Sequence, residues 1–281
     1  MIFSLPFLLP LLFFAVALVY SMVGFAGGSS YLALLILAGL PYKQVPPIAL
    51  FCNVIVSVSA FWHFYRAGHF SFQKILPFIV FSIPMAFLGG RIALSKELFC
   101  LLLGFSLFVA GLRLLLPDHR FKETKIVSAQ TLWLLGAPIG ACLGFLSGLV
   151  GIGGGIFLSP ILILMRWMNP KEAAASASFF ILVNSVSGLI GQAQKAAIIP
   201  QQTLIFFGLA VLIGGQLGAR LGSYRLPRIG LQRITAILIL YVSVNLIAPP
   251  VIARRPQTTK QSNRSDCFVV AGAPSRNDTL K

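Results

Sequence analysis

Acidic residues are almost missing from this chain. Of 281 residues only six are Asp or Glu, against 22 Lys and Arg, giving a net charge of +16. The six, Glu97, Asp118, Glu123, Glu172, Asp266 and Asp278, fall at the ends of apolar runs, in one polar stretch or in the tail. None sits in mid-run, where a carboxylate costs about 2.5 to 3.5 kcal/mol on insertion scales and is kept mainly for proton relays and cation sites. The absence disfavours a cation transporter, leaving backbone carbonyls as the remaining means of holding sodium. Charge of either sign is scarce: 10% of residues are charged and 57% apolar, with a mean hydropathy of +0.91. A soluble domain of this length needs far more charge on its surface, so the chain reads as a polytopic, all-α membrane protein. Paired cysteines are lacking too. Cys52, Cys100, Cys142 and Cys267 show no paired spacing, which argues against a disulfide framework or a metal site, and no cofactor or metal is expected. No Lys or Arg precedes the first apolar run and no clean small-x-small site follows it, so that run is not read as a cleaved signal peptide.

What the chain has in abundance is long apolar runs. Stretches of membrane-spanning length occur at 5–23, 45–64, 75–92, 98–116, 132–150, 173–192, 204–221 and 229–247. Two shorter apolar pieces, 31–40 and 157–167, are too short to cross comfortably. The basic residues gather at run ends, in short loops and in the tail, which suits contact with anionic lipid headgroups. Nucleic acid is not an expected partner, since no basic stretch is interleaved with aromatics on a polar domain. A homo-oligomer is compatible with the sequence. The basic tail from Arg254 favours a cytoplasmic C terminus and, with eight crossings, a cytoplasmic N terminus.

One glycine-rich phrase occurs twice. Val23-Gly24-Phe25-Ala26-Gly27-Gly28-Ser29-Ser30 matches Val150-Gly151-Ile152-Gly153-Gly154-Gly155-Ile156-Phe157, a shift of 127 positions. Pro41 with Pro170 and Arg91 with Arg220 continue the match at a shift of 129. The expected organisation is a first transmembrane repeat over 1–116, a polar linker over 117–130, a second repeat over 131–249 and a disordered, polar, basic tail over 250–281. The fold class is thus a helix bundle of about eight transmembrane helices from a duplicated four-helix unit, each half carrying a glycine-rich broken or re-entrant segment. The shortness of the two extra pieces favours segments that dip in and return, so that both repeats point the same way.

Glycine runs expose backbone that hydrocarbon cannot hydrate. Some of them fit close helix packing, as the four-residue spacings of Gly140, Gly144 and Gly148 and of Gly214, Gly218 and Gly222 do. At Gly24, Gly27 and Gly28, and at Gly151, Gly153, Gly154 and Gly155, a second reading applies. There the chain unwinds, and the helices opening near Ser29 and Ile156 present free backbone N–H groups and a positive dipole end to an anion. A phosphate loop is a weaker reading, because no Lys-Ser/Thr follows Gly155. Neutral polar residues in the second and sixth runs, Asn53, Ser176, Ser178 and Asn184 foremost, are candidates to line the same cavity, with interhelical hydrogen bonding as the alternative. Arg91 and Arg220 are candidates for an electrostatic vestibule, against headgroup snorkelling.

The phrase Gly148-Leu-Val-Gly-Ile-Gly-Gly-Gly-Ile-Phe-Leu-Ser-Pro160, with Pro170 and the Ser/Ala-rich helix from Ala173, closely resembles the second-repeat signature of the sulfite exporter TauE/SafE family. Met22-Val-Gly-Phe-Ala-Gly-Gly28 is similar to its first-repeat counterpart, although Ala26 and Ser29-Ser30 depart from it and Ala33 stands where the second repeat has Pro160. The resemblance implies a multi-pass permease of the bacterial inner membrane that moves sulfite, sulfonates or other small sulfur-containing anions. It implies no catalytic residues, and none are expected. Alternating access is expected from one half rocking against the other. The alternatives are a non-transporting membrane scaffold or assembly factor and, more remotely, an intramembrane hydrolase using Ser147 with His63.

Overall fold

The computed structural model describes residues 8–115, 127–195, 201–224, 240 and 243–244. The described residues form nine helices and no strands: α1 (Leu8–Ser21), α2 (Gly28–Leu37), α3 (Val45–Arg66), α4 (Phe72–Arg91), α5 (Lys96–Leu115), α6 (Ala129–Val150), α7 (Gly155–Leu164), α8 (Pro170–Ala193) and α9 (Gln201–Tyr224). Five of them, α3, α4, α6, α8 and α9, are long and apolar enough to cross a membrane. The expected last span, 229–247, lies almost wholly outside the described residues, as do the tail and most of the linker. Among the described residues the first expected span, 5–23, is helical over Leu8–Ser21.

Local chemistry sets the helix ends. Ser128 Oγ accepts a hydrogen bond from the Thr131 N–H at 3.2 Å and opens α6. α8 begins with a capping box, in which Asn169 Oδ1 accepts from the Glu172 N–H at 2.9 Å and Glu172 Oε2 accepts from the Asn169 N–H at 3.2 Å. Pro170 supplies the first turn, where its missing N–H is harmless. Both α2 and α7 are ten residues long and follow a left-handed glycine, Gly27 at φ 92° and Gly154 at φ 75°, with no side chain capping either one.

Packing joins the halves of the sequence to each other. α4 and α6 run parallel in tight contact: a Cβ on Gly140 would strike the Phe78 carbonyl, one on Gly144 that of Ser82, one on Gly148 that of Ala86. α1 and α9 repeat the arrangement, with Gly214, Gly218 and Gly222 against the carbonyls of Phe14, Leu18 and Met22. Small residues four apart thus let backbones approach where lipid gives no hydrophobic drive to associate.

α3 and α8, which the sequence match makes counterparts, run antiparallel. A Cβ on Gly188 would lie 3.3 Å from Leu50, the Phe61 and Phe179 rings sit 4.9 Å apart, and Phe64 packs on Ala174 and Ala175. The expectation that both repeats point the same way is therefore corrected: counterpart helices have opposite directions. The reason is geometric. A ten-residue helix rises about 15 Å, half of a hydrocarbon core of about 30 Å. It completes a crossing when its N terminus starts mid-bundle and the glycine loop carries the chain there.

Gly144→Ala is expected to destabilise the protein by about 1–3 kcal/mol through forced separation of α4 and α6. The check is the thermal unfolding midpoint in detergent, beside Gly208→Ala, whose Cβ would meet the Phe51 and Ile55 side chains at 3.2 and 3.4 Å and no backbone. Gly208→Ala should shift the midpoint less.

Candidate functional site

The two glycine breaks meet inside the bundle. Gly28, the first residue of α2, has no room for a Cβ, which would sit 2.5 Å from the Ile152 carbonyl oxygen and collide with the Asn53 amide. Gly153 is enclosed by Ile181, Asn53 and Ser185, at 2.9, 3.0 and 3.4 Å from a notional Cβ. Asn53, fully buried on α3, bridges the breaks: its Nδ2 donates to the carbonyls of Gly151 at 3.4 Å and Ile152 at 3.3 Å. Its Oδ1, like Asn184 Oδ1 and Ser185 Oγ, is buried with no hydrogen-bond partner among the described residues. Unpaired buried acceptors beside uncapped helix N termini are unusual inside a bundle.

The left-handed glycines are needed where they stand. Gly24 (φ 80°) presses on Ala174 at the start of α8, and Gly151 (φ 90°) presses on Pro46 at the start of α3. The copies differ at one point: Gly153 takes φ 88°, whereas its counterpart Ala26 is not in the left-handed region, which a side chain disfavours. The first break is braced instead by Tyr20, whose hydroxyl hydrogen-bonds Ser30 Oγ at 2.8 Å and lies 3.5 Å from Ser29 Oγ.

Of the residues expected to line a cavity, Gly27, Gly28, Ser29, Asn53 and Gly151 to Gly155 come together around the breaks. Asn184 donates within α8, to the Phe180 carbonyl at 2.8 Å. Ser176 and Ser178 are spent elsewhere, on Met168 Sδ at 3.2 Å and the Ala175 carbonyl at 2.8 Å. Ser185, whose Oγ would lie 3.4 Å from a Cβ on Gly153, is the α8 hydroxyl that faces the break, and no signal in the sequence separates it from the other serines of that helix. The space before α2 is filled by Asn53 and Ile152, so the meeting point is closed in this conformation.

From one end of the bundle a cavity of about 340 Å³ leads towards the breaks. Its floor is Leu149 and Pro46, the latter in contact with Gly151. Lys43, Arg91 and Lys195 line its walls with Tyr42, Gln192 and Gln194. Gln192 is anchored by donating from Nε2 to the Gly148 carbonyl at 2.9 Å. Partial burial lowers the Lys195 pKa from its ordinary value. Arg91 lines this cleft and lies over the Phe87 ring at 5.6 Å. Arg220 does not line this cleft. Lys43 and Lys195, which look like headgroup contacts in sequence, join Arg91 only because α3 and α8 run antiparallel.

The hydrolase alternative finds no support in this arrangement. Ser147 lies one turn before Gly151, beside the start of α3, whereas His63 is near the other end of α3 with its Nδ1 2.9 Å from the Ser59 carbonyl oxygen.

An apolar bundle whose two short helices begin at its centre, below a polar cleft, has the build of a multi-pass membrane transporter. The chain belongs to the sulfite exporter TauE/SafE family, which it matches over residues 9–246. It is 32% identical over 240 residues to a probable membrane transporter protein, y4hK, of Sinorhizobium fredii, covering 85% of this chain and 97% of that one. A probable membrane transporter protein of Xylella fastidiosa is 27% identical over 245 residues, covering 80% of this chain and 91% of its own. YunE of Bacillus subtilis, also named a probable membrane transporter protein, is 33% identical over 89 residues, 32% of this chain and 31% of its own. No solved structure matches the chain.

Asn53→Ala is expected to lower stability by about 1–3 kcal/mol, because the buried carbonyls of Gly151 and Ile152 lose their donor. Ser57→Ala, whose hydroxyl donates only within α3 to the Asn53 and Val54 carbonyls at 2.6 and 3.2 Å, should cost distinctly less in the same detergent melt.

Proposed function

We propose that this protein is a permease of small anions, with sulfite, sulfonates and related sulfur-containing anions as its substrate class, acting in the bacterial inner membrane. The observation that carries this reading is the meeting of two uncapped helix N termini, α2 and α7, at Asn53 beneath a cleft lined by three cations and no acid. Free N–H groups and the positive dipole ends of short helices favour an anion, and the missing carboxylates remove the usual cation ligands. Family membership supplies the sulfur chemistry of the substrate.

The bound anion would take the position now held by the Ile152 carbonyl and the Asn53 amide, with Asn53 turning its Nδ2 to the substrate. Gly27, Gly28, Ser29, Gly151, Gly153, Gly154 and Gly155 form the backbone of that site and Ser185 borders it, while Gly24 shapes the first break by its contact with Ala174. The chain is read as two copies of one unit in opposite orientation, each with long spans and one broken short segment. The close packing of α4 on α6 and of α1 on α9 favours a motion other than one sequence half rocking against the other. Motion falls instead on α2, α7 and the loops before them, swinging against α3 and α8.

The test is flux of radiolabelled sulfite and an alkanesulfonate into proteoliposomes. Gly27→Leu and Gly154→Leu force a side chain into left-handed backbone at a strain of about 1–3 kcal/mol. They should cut flux about tenfold or more. Monodisperse, folded variants with wild-type flux would remove the glycine site from the reading, and absence of flux by the wild type for every anion tried would remove the permease.

A further inference from the structure

The cleft above the breaks does more than admit solvent. Lys43 sits in the loop after α2, Arg91 ends α4 and Lys195 follows α8, so three separate elements bring their charges to one cavity of about 340 Å³. That volume is at the lower end of the roughly 300–1,000 Å³ common for small-ligand pockets. No acid lines it, and among the described residues none of the three cations pairs with a carboxylate. Three like charges in one cleft repel, and a protein that keeps them together gains most when an anion fills the space. The polar remainder is suited to the same ligand. Tyr42, Gln192 and Gln194 offer O–H and N–H donors, and Gln192 is held in place by its bond to Gly148.

The opposite end of the bundle is built differently. There Lys74 is neutralised by Glu172 at 3.3 Å, Glu172 also closes the α8 capping box, and Arg66 lies over the Trp62 ring at 4.7 Å.

We propose that the Lys43–Arg91–Lys195 cleft is a second, outer binding site for a small oxyanion, which holds the ion above the Pro46–Gly151 contact before that contact opens. The proposal rests on the anion-permease reading for its role, while its binding chemistry stands alone. Guanidinium and ammonium groups on an oxyanion form charge-assisted hydrogen bonds, with Arg91 able to take two oxygens at once. A soluble ion and the phosphate of an anionic lipid share this chemistry, and the two arms of the experiment separate them.

The experiment is equilibrium binding of sodium sulfite to the full-length protein, purified in a non-ionic detergent, with and without added phosphatidylglycerol. Lys43→Gln, Arg91→Gln and Lys195→Gln are each expected to weaken binding about fivefold, and the triple variant about a hundredfold or more. Lys74→Gln, at the other end, should bind as the wild type does. A triple variant with an unchanged melting profile and unchanged sulfite affinity overturns the proposal. So does a cleft that takes phosphatidylglycerol yet gives no saturable sulfite binding. The proteoliposome assay separates the two readings. Wild-type protein that binds sulfite through the cleft but carries no anion sinks the permease and keeps the site. Wild-type flux with a triple variant unchanged in both binding and KM keeps the permease and sinks the site.

Discussion

Backbone that leaves a helix inside a membrane must find partners in the protein, and this constraint organises the molecule. The chain breaks twice, at residues 22–27 and 151–154, and each break is covered by the other half's helices. Gly24 rests on Ala174 of α8, Gly151 rests on Pro46 of α3, and the Asn53 amide takes the carbonyls that the second break frees. Side chains are excluded at these points because a Cβ would meet backbone. The glycines are therefore required by conformation at one moment and by proximity at the next.

The same constraint explains why the halves interlock. An isolated half would leave its own break exposed to lipid. Exchanging partners, α4 onto α6 and α1 onto α9, surrounds each break with helices of opposite origin and uses glycine faces to bring them close. The outcome is a rigid frame holding two short, uncapped helices whose N termini point to one place. Frame and short helices differ in what restrains them: the frame by backbone-to-backbone contact, the short helices by a few side chains such as Tyr20, Asn53 and Phe180.

Much of the fold was legible from residues. The apolar runs at 45–64, 75–92, 132–150, 173–192 and 204–221 became α3, α4, α6, α8 and α9 within a few residues, because a run of about 20 apolar residues in lipid has no backbone solution other than a helix. The short pieces became α2 and α7, starting slightly earlier than their apolar residues suggested, since a left-handed glycine terminates the loop and the next glycine already starts the helix. Gly27, Gly28, Gly153 and Asn53 were recognisable as a group. Ser176 and Ser178 were not distinguishable from Ser185, because all three are serines in one apolar helix and only the neighbours of that helix decide which hydroxyl faces the breaks. Arg91 and Arg220 looked alike for the same reason.

Sequence alone determined the helical class, the exclusion of intramembrane carboxylates and the position of the two breaks, all of which depend on hydropathy and on what a glycine backbone can do. Tertiary structure decided direction and company. A hydropathy profile reads the same forwards and backwards, so nothing in it distinguishes parallel from antiparallel counterparts. The antiparallel course of α3 and α8 brings Lys43, Arg91 and Lys195 to one cleft, and brings Asn53 to both breaks. These are contacts between residues far apart in the chain, and packing geometry, with backbones approaching until glycine is the only residue that fits, is what creates them.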